Sequence, residues 1–377
     1  MSGKIVAQET TGQLNEKSLL DFVEIAGFVA FSTSHVRSSE NETSKFTMAE
    51  ELNLGIGLKP HDWIGTDVIW IHQGTFVEEE GGYNLELVMA TAVVGPPGGS
   101  WWLETGIQYL PFTFFELAEV RPAHDSGFGL LETQTIIDPM SFEYGSKREK
   151  SMLLGGTFGS FVGTAYGYYG ETNRATAYLH DTKIGFGAAL SYEQHLTGNR
   201  KLTGNLSFID HLGILDRFQK LGAHVPHKLH EEIVSATDEG ASLDKDQKIP
   251  GWGISTQLEM GNISLAGEYM LAQKRFSPEL LIFDGKGALP SAWMLEASYG
   301  FTLAGRSGDI TLGYQGSAEA VALALPASRY VGVLNIDLWD EKLFGTFEWV
   351  HERDYEISED GTGGRMGTYT ARLAIDF

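Results

Sequence analysis

The chain ends in Thr368-Tyr369-Thr370-Ala371-Arg372-Leu373-Ala374-Ile375-Asp376-Phe377, a stretch in which every second residue changes character. Tyr369, Ala371, Leu373, Ile375 and Phe377 fall on one face of an extended strand; Thr368, Thr370, Arg372, Ala374 and Asp376 fall on the other. One face suits lipid and the other suits water. The same split recurs upstream. Leu343, Gly345, Phe347 and Trp349 oppose Thr346 and Glu348, and Leu295, Ala297, Tyr299, Phe301 and Leu303 oppose Glu296, Ser298, Gly300 and Thr302.

A tilted strand needs about nine residues to cross a bilayer. Segments that alternate over that length lie near 18–35, 44–58, 62–74, 83–95, 99–112, 148–158, 160–170, 181–194, 198–211, 249–260, 261–274, 289–303, 307–316, 327–339, 340–353 and 364–377. These about sixteen candidates make an even number, as a bacterial outer-membrane barrel requires. With both termini in the periplasm, such a barrel has short turns after even strands and longer loops after odd ones. The even connectors are brief and mostly carry Gly, Pro, Asn or Asp, as in Lys59-Pro60-His61, Gly95 to Gly99, Met260-Gly261 and Trp339-Asp340. The odd gaps near 113–147 and 212–248 are long. The expected fold is an all-β, transmembrane antiparallel barrel over 18–377, preceded by a short periplasmic segment at 1–17.

Composition agrees. Lys plus Arg number 27 against 50 Asp plus Glu, a net charge of −23, which argues against nucleic acid as a partner because phosphate neutralisation needs a basic face. No Cys means no disulfide and no thiolate metal site. The longest apolar run, Leu87 to Val94, is broken by Thr91 and falls far short of the about 18 residues of a membrane helix. Met1 is followed by polar residues without an apolar signal core, so an exported chain is expected to be numbered from its mature end.

Chemistry-bearing motifs are few. No phosphate-binding loop, zinc-protease helix or nucleophile elbow is present. His227 and His230 have helical spacing but no third ligand, and read as a solvated loop, so neither metal nor cofactor is expected. Ser207 and His211 share an alternation with Asn205, which superficially matches a hydrolase triad but points into the expected lumen.

The inward faces say more. Alternation turns Glu104, Glu193, Glu259, Glu268, Glu296 and Glu348 toward the lumen, together with Glu24, Glu51, Glu86, Asp309 and Asp337, against few bases such as Lys183 and Arg372. An acidic wall favours cations; the same carboxylates could instead hydrogen-bond loops folded inside. Lys147 and Arg148 sit at the return of the 113–147 loop, where they are expected to face that wall, Glu104 included. Phe114, Leu117, Leu130, Leu131 and Ile136 are too many apolar residues for a freely solvated loop, so this loop is expected to fold inward and narrow the pore.

The stretch 105–156 resembles the LbtU-type siderophore porins of Legionella and related Gram-negative bacteria. TGIQYLPFTFFE supplies Gly106, Gln108, Tyr109, Pro111, Phe112, Phe115 and Glu116, and IIDPMSFEYGSKREKSMLLGG supplies Asp138, Pro139, Glu143, Gly145, Arg148 and Glu149. Thr113 and Ser146-Lys147 depart from the family pattern, and Ser207 to Asp216 is similar to its strand-to-loop segment. The resemblance implies a sixteen-strand outer-membrane barrel that takes up an iron siderophore without an energy-coupling plug. Gln108, Glu116, Asp138 and Glu143 then join the pore-lining candidates. Outer-membrane lipid and lipopolysaccharide would surround the barrel, and Phe377 would address the barrel-assembly machinery. The alternatives are a general cation-selective or carbohydrate porin and, in a different class, a membrane-embedded lipid hydrolase, which would need a Ser and His pair on the outer wall. A soluble all-β binding protein would not need the alternation of short and long connectors.

Overall fold

A computed structural model describes residues 22–39, 44–75, 85–96, 99–113, 138–169, 184–219, 248–278, 280–339 and 342–377. Strands β1 (Val23–Ser38), β2 (Ser44–His61), β3 (Ile64–Thr75), β4 (Leu85–Val94), β5 (Trp101–Tyr109), β6 (Arg148–Phe158), β7 (Phe161–Tyr169), β8 (Ile184–Leu196), β9 (Arg200–Ile209), β10 (Gly251–Met260) and β11 (Ile263–Ala272) follow one another around a barrel wall. A small hairpin, β12 (Ile282–Phe283) and β13 (Lys286–Gly287), lies in the next loop. The wall then resumes with β14 (Ser291–Leu303), β15 (Arg306–Ala318), β16 (Ser328–Trp339), β17 (Leu343–Arg353) and β18 (Arg365–Asp376). Sixteen strands close the barrel, each antiparallel to its neighbours, and β18 returns to pair with β1 from Phe28 opposite Asp376 to Ser38 opposite Met366.

The closing seam ends in Phe377, whose N–H donates to Gly27 O (2.9 Å) and whose carbonyl accepts from Gly27 N–H (3.0 Å). A Cβ on Gly27 would lie 2.4 Å from the backbone oxygen of Asn53 and 2.9 Å from the Phe377 ring, so the seam closes only over a bare backbone.

Each strand separates two environments. Phe31, Ile254, Leu295, Leu312, Phe347 and Leu373 stand exposed on the outer surface, whereas Thr311, Gln315, Glu348 and Thr370 are buried on the inner one. Aromatic residues gather outward near both ends of the strands: Trp63, Trp101, Phe158 and Phe161 toward the short turns, and Tyr269, Tyr314, Tyr330, Trp349 and Tyr369 toward the long loops. This is the girdle pattern of a barrel set in lipid. Gly159, Gly198, Gly261 and Gly305 have φ of 65°, 73°, 60° and 79°, values that the tight turns demand and that β-carbon sterics disfavour.

Several strand boundaries shift by two or three residues, as in β1, which runs to Ser38 and not to 35, and two of the shifts bear on the rest of the structure. β2 continues through Pro60 to His61, because a register irregularity between Leu58 and His61 takes up the residue that lacks an N–H; the turn is Asp62-Trp63. β5 stops at Tyr109, and Leu110 and Phe112 are wholly buried instead of continuing the wall. Residues 1–17, Glu116, Lys183, the apolar loop residues Phe114 to Ile136 and the His227/His230 pair lie outside the described residues.

The seam yields a prediction. Gly27→Val should prevent closure, and the variant should lose the compact, heat-modifiable band of a folded barrel on unheated denaturing gels; a normal band shift would show that the seam tolerates a side chain.

Candidate functional site

The chain leaves β5 by turning toward the lumen. The N–H of Leu110 donates to Lys147 O (2.9 Å), which joins the two feet of the 113–147 loop, and Ser207 Oγ on β9 donates to Phe112 O (2.6 Å). The return carries helix α1 (Met140–Gly145), which packs against β11, β14 and β15. Its contacts are with their inner face: Met140 N–H donates to Gln315 Oε1 (3.0 Å), and Tyr144 OH donates to Pro290 O (3.0 Å). Glycines make the space. A Cβ on Gly253 would meet Ser207 Oγ at 2.4 Å, and one on Gly145 would meet Met270 and Thr113 at 2.6 and 2.7 Å.

Helix α2 (Asp216–Gln219) and the short 3-10 turn Leu212–Ile214 continue the inward layer. Tyr144 meets Phe218 edge-on at 5.2 Å between centroids, and Phe218 stacks on Phe276 at 5.5 Å. Together with Leu110, Phe112, Met140, Leu212, Leu215 and Ile249 they form an apolar core on one side of the lumen. Burial pushes the Tyr144 phenol well above its ordinary range.

Charge is arranged around this inward layer. Arg329 on β16, almost fully buried, donates from Nε to Glu352 (2.6 Å) and from Nη1 to Glu143 of α1 (2.8 Å) and to the carbonyl of Asp138 (3.0 Å). Arg217 of α2 also reaches Glu143 at 3.1 Å. Lys147 lies 2.8 Å from Asp216 and 3.1 Å from Glu149. Burial works against its charge, but the two carboxylates outweigh burial and hold its pKa above the ordinary value. The Asp138 carboxyl, deep in the barrel yet open to the lumen, is raised to about 6 by burial first and then by Glu143, with Arg329 opposing and Glu51 adding.

Alternation places Glu104, Glu193, Glu259, Glu268, Glu296, Glu348 and Arg372 on the inner face. Arg372 pairs with Glu51 (3.0 Å) and sits over the Phe28 ring; Glu193 pairs with Lys201 (3.0 Å) toward the short-turn end. Glu104 and Glu296 have no basic partner among the described residues. Gln108 is inward but spent on structure, donating to Ser151 Oγ (2.9 Å).

The expected role of Arg148 is corrected. It stands on the same side of β6 as the exposed Met152 and Leu154, with its guanidinium over the Tyr109 ring and 3.1 Å from Glu86. Strand parity turns Lys147 in and therefore turns Arg148 out. Lys147 in turn pairs with Asp216 and Glu149, not with Glu104. The residue that anchors the loop, Arg329, was missed; its only sequence signal was a basic residue on an inner alternation.

The Ser207 and His211 candidates are likewise structural, since His211 Nδ1 accepts the Ile249 N–H (3.1 Å). On the outer face, His35 Nε2 lies 2.6 Å from Ser44 Oγ near the long-loop end. No carboxylate or amide holds the other imidazole nitrogen among the described residues, so this pair lacks the orienting third group of a hydrolase.

A sixteen-strand antiparallel barrel with an inward helix-bearing loop belongs, by architecture, to the class of outer-membrane porin folds. Solved structures agree on the fold: Pseudomonas putida OprB at high pH (8% identity, 95% of each chain, TM-score 0.58) and an anion-selective porin from Comamonas acidovorans (12%, 94% of this chain and 99% of that one, 0.57). The outer membrane channel DcaP of Acinetobacter baumannii is similarly close (11%, 94% and 97%, 0.57). In sequence, the chain is 26% identical over 291 residues to the UPF0422 protein lpg2959 of Legionella pneumophila, covering 73% of this chain and 50% of that protein. It is 25% identical over 243 residues to a UPF0422 protein of Coxiella burnetii, covering 63% and 47%. The chain thus spans about half the length of the curated relatives it matches. No family model matches.

Two predictions follow from the anchor. Arg329→Gln leaves Glu143 and Glu352 buried without their shared cation and should destabilise the folded barrel by about 3–5 kcal/mol, read as a lower unfolding midpoint in detergent; an unchanged midpoint would remove Arg329 from the role of anchor. For Asp138, a carboxyl raised above its ordinary value contributes stability that is present below the ordinary carboxylate range and is lost as pH rises through about 6. Between pH 4.5 and 7 the wild type should therefore lose stability relative to Asp138→Asn, and parallel pH profiles would contradict this.

Proposed function

We propose that the chain is a porin-like channel of a Gram-negative outer membrane for small polar solutes, with an iron siderophore as the finer reading of its cargo. The observation that carries the channel reading is the division of the lumen. Glu143, held by Arg329 and Arg217, ties the inward loop to one side, while Glu104 on β5, and Glu296 and Asp309 nearer the short turns of β14 and β15, add carboxylates to the inner face. A narrowed, acidic passage favours cations and polar solutes over free anions.

The siderophore reading rests on the resemblance of residues 105–156 to siderophore porins, and a general cation-selective or carbohydrate porin is the alternative within the class. The His35–Ser44 contact is what favours the lipid-hydrolase alternative, and its lack of an orienting partner weighs against it.

In planar bilayers the channel should prefer potassium to chloride at low salt, with the preference weakening as salt screens the wall. Anion selectivity in the reversal potential would overturn the assignment of the wall. Ferric siderophores added to one side should block the current if they are the cargo, and neutral oligosaccharides should block instead if the carbohydrate reading is right.

A further inference from the structure

The inner wall changes character at one level of β15 to β18. Thr311, Val333, Glu348 and Thr370 are cross-strand neighbours, and all four are covered, at 0%, 2%, 1% and 3% exposure. One row nearer the short turns, Asp309, Asn335, Thr346 and Arg372 are only half-buried, and so are Asp337, Phe344 and Ala374 in the row after that. The covered wall thus ends in a ledge that the lumen reaches.

The ledge carries an aromatic ring in an unusual setting. Elsewhere on the inner wall Trp102, Tyr166 and Tyr168 press onto bare backbone at Gly155, Gly187 and Gly185, and Phe28 lies beneath the Arg372 guanidinium. Phe344 is flanked across the strands by Asp337 and by Ala374, whose side chain is too short to cover it. The polar row beside it is joined into one unit. Thr346 Oγ1 donates to Asn335 Oδ1 (2.8 Å), Asn335 Nδ2 donates to Asp309 Oδ2 (3.2 Å), and Thr311 Oγ1 donates to the same oxygen (3.3 Å). Asp309 Oδ1 takes none of these bonds. Arg372, the base in that row, is committed to Glu51 (3.0 Å).

We infer that this ledge binds one sugar ring of a neutral oligosaccharide in passage, with the ring lying on Phe344 and its hydroxyls meeting Asp337, Asn335 and Asp309. The two rows stand about 7 Å apart along the strands, within reach of the rim of a single sugar. A sugar is apolar on its faces and hydroxylated at its edge, and the ledge is apolar at its centre and polar at its flanks. Carboxylate and amide together accept from and donate to neighbouring hydroxyls. A bare cation has no use for the ring, and an anion would meet two carboxylates. The inference rests on the channel reading above and gives its carbohydrate alternative a site.

The test uses the full chain in planar bilayers, with maltotriose as the probe and block of the potassium current as the readout. Maltotriose should block the wild type in a concentration-dependent way, and polyethylene glycol of the same mass, which lacks both ring and vicinal hydroxyls, should not. Phe344→Leu keeps the apolar bulk but loses the flat face, and Asn335→Ala loses the central amide. Each should raise the half-blocking concentration about tenfold. Phe344→Trp should block as the wild type does or better. Thr203→Val, on the inner face of β9 well away from the ledge, should change nothing. Because Phe344→Leu removes no charge, its preference for potassium over chloride should also stay as in the wild type. Half-blocking concentrations within twofold of wild type in both weakened variants would overturn the site. So would equal block by the polyethylene glycol, or a conducting wild type that maltotriose does not block. A folded barrel that gives no conductance steps would instead overturn the channel reading itself.

Discussion

Backbone hydrogen bonding without water is the constraint on which everything else depends. In hydrocarbon each unpaired N–H or C=O costs several kcal/mol, so a sheet can span a bilayer only if it has no edge. Here the last residue joins the first described strand through Gly27 and Phe377. Once the sheet is closed, side-chain alternation is no longer a local preference. It sorts each wall strand into a lipid face and a lumen face, and a one-residue slip in a strand would exchange the two.

Enclosure changes what charge can do. A carboxylate on a solvated loop is cheap, but the same group inside the barrel must find a partner or a water-filled path. The protein uses both solutions. Glu143, Glu149 and Glu352 are committed to Arg329, Arg217 and Lys147, and they fasten the inward layer to the wall. Glu104 and Glu296, on the inner face of β5 and β14, have no basic partner among the described residues.

The wall was legible in the sequence because its signal is repeated sixteen times and is independent of any one residue; the alternation around Phe347 or Leu295 needs no knowledge of what packs beside it. Legibility failed where the chain leaves the wall. Leu110 and Phe112 continue the apolar pattern of β5 but turn inside, since alternation cannot tell lipid from a buried core. Proximity to Lys147 does not place Arg148 in the lumen, because neighbours in a strand point opposite ways. Helix α1 is too short for periodicity to register. The grip of Arg329 on Glu143 joins residues far apart in sequence, a pairing fixed only by the circumference of the barrel.

The bond between Leu110 and Lys147 has a consequence for how such a barrel can change. With both feet of the loop tied to each other beside β5 and β6, residues between them can be gained, lost or exchanged without shifting the register of either strand. The loop is in effect a cassette. Insertions there can then change what fills the space beside the inward helix, while the pairing of β5 with β6 that closes this part of the wall keeps its register.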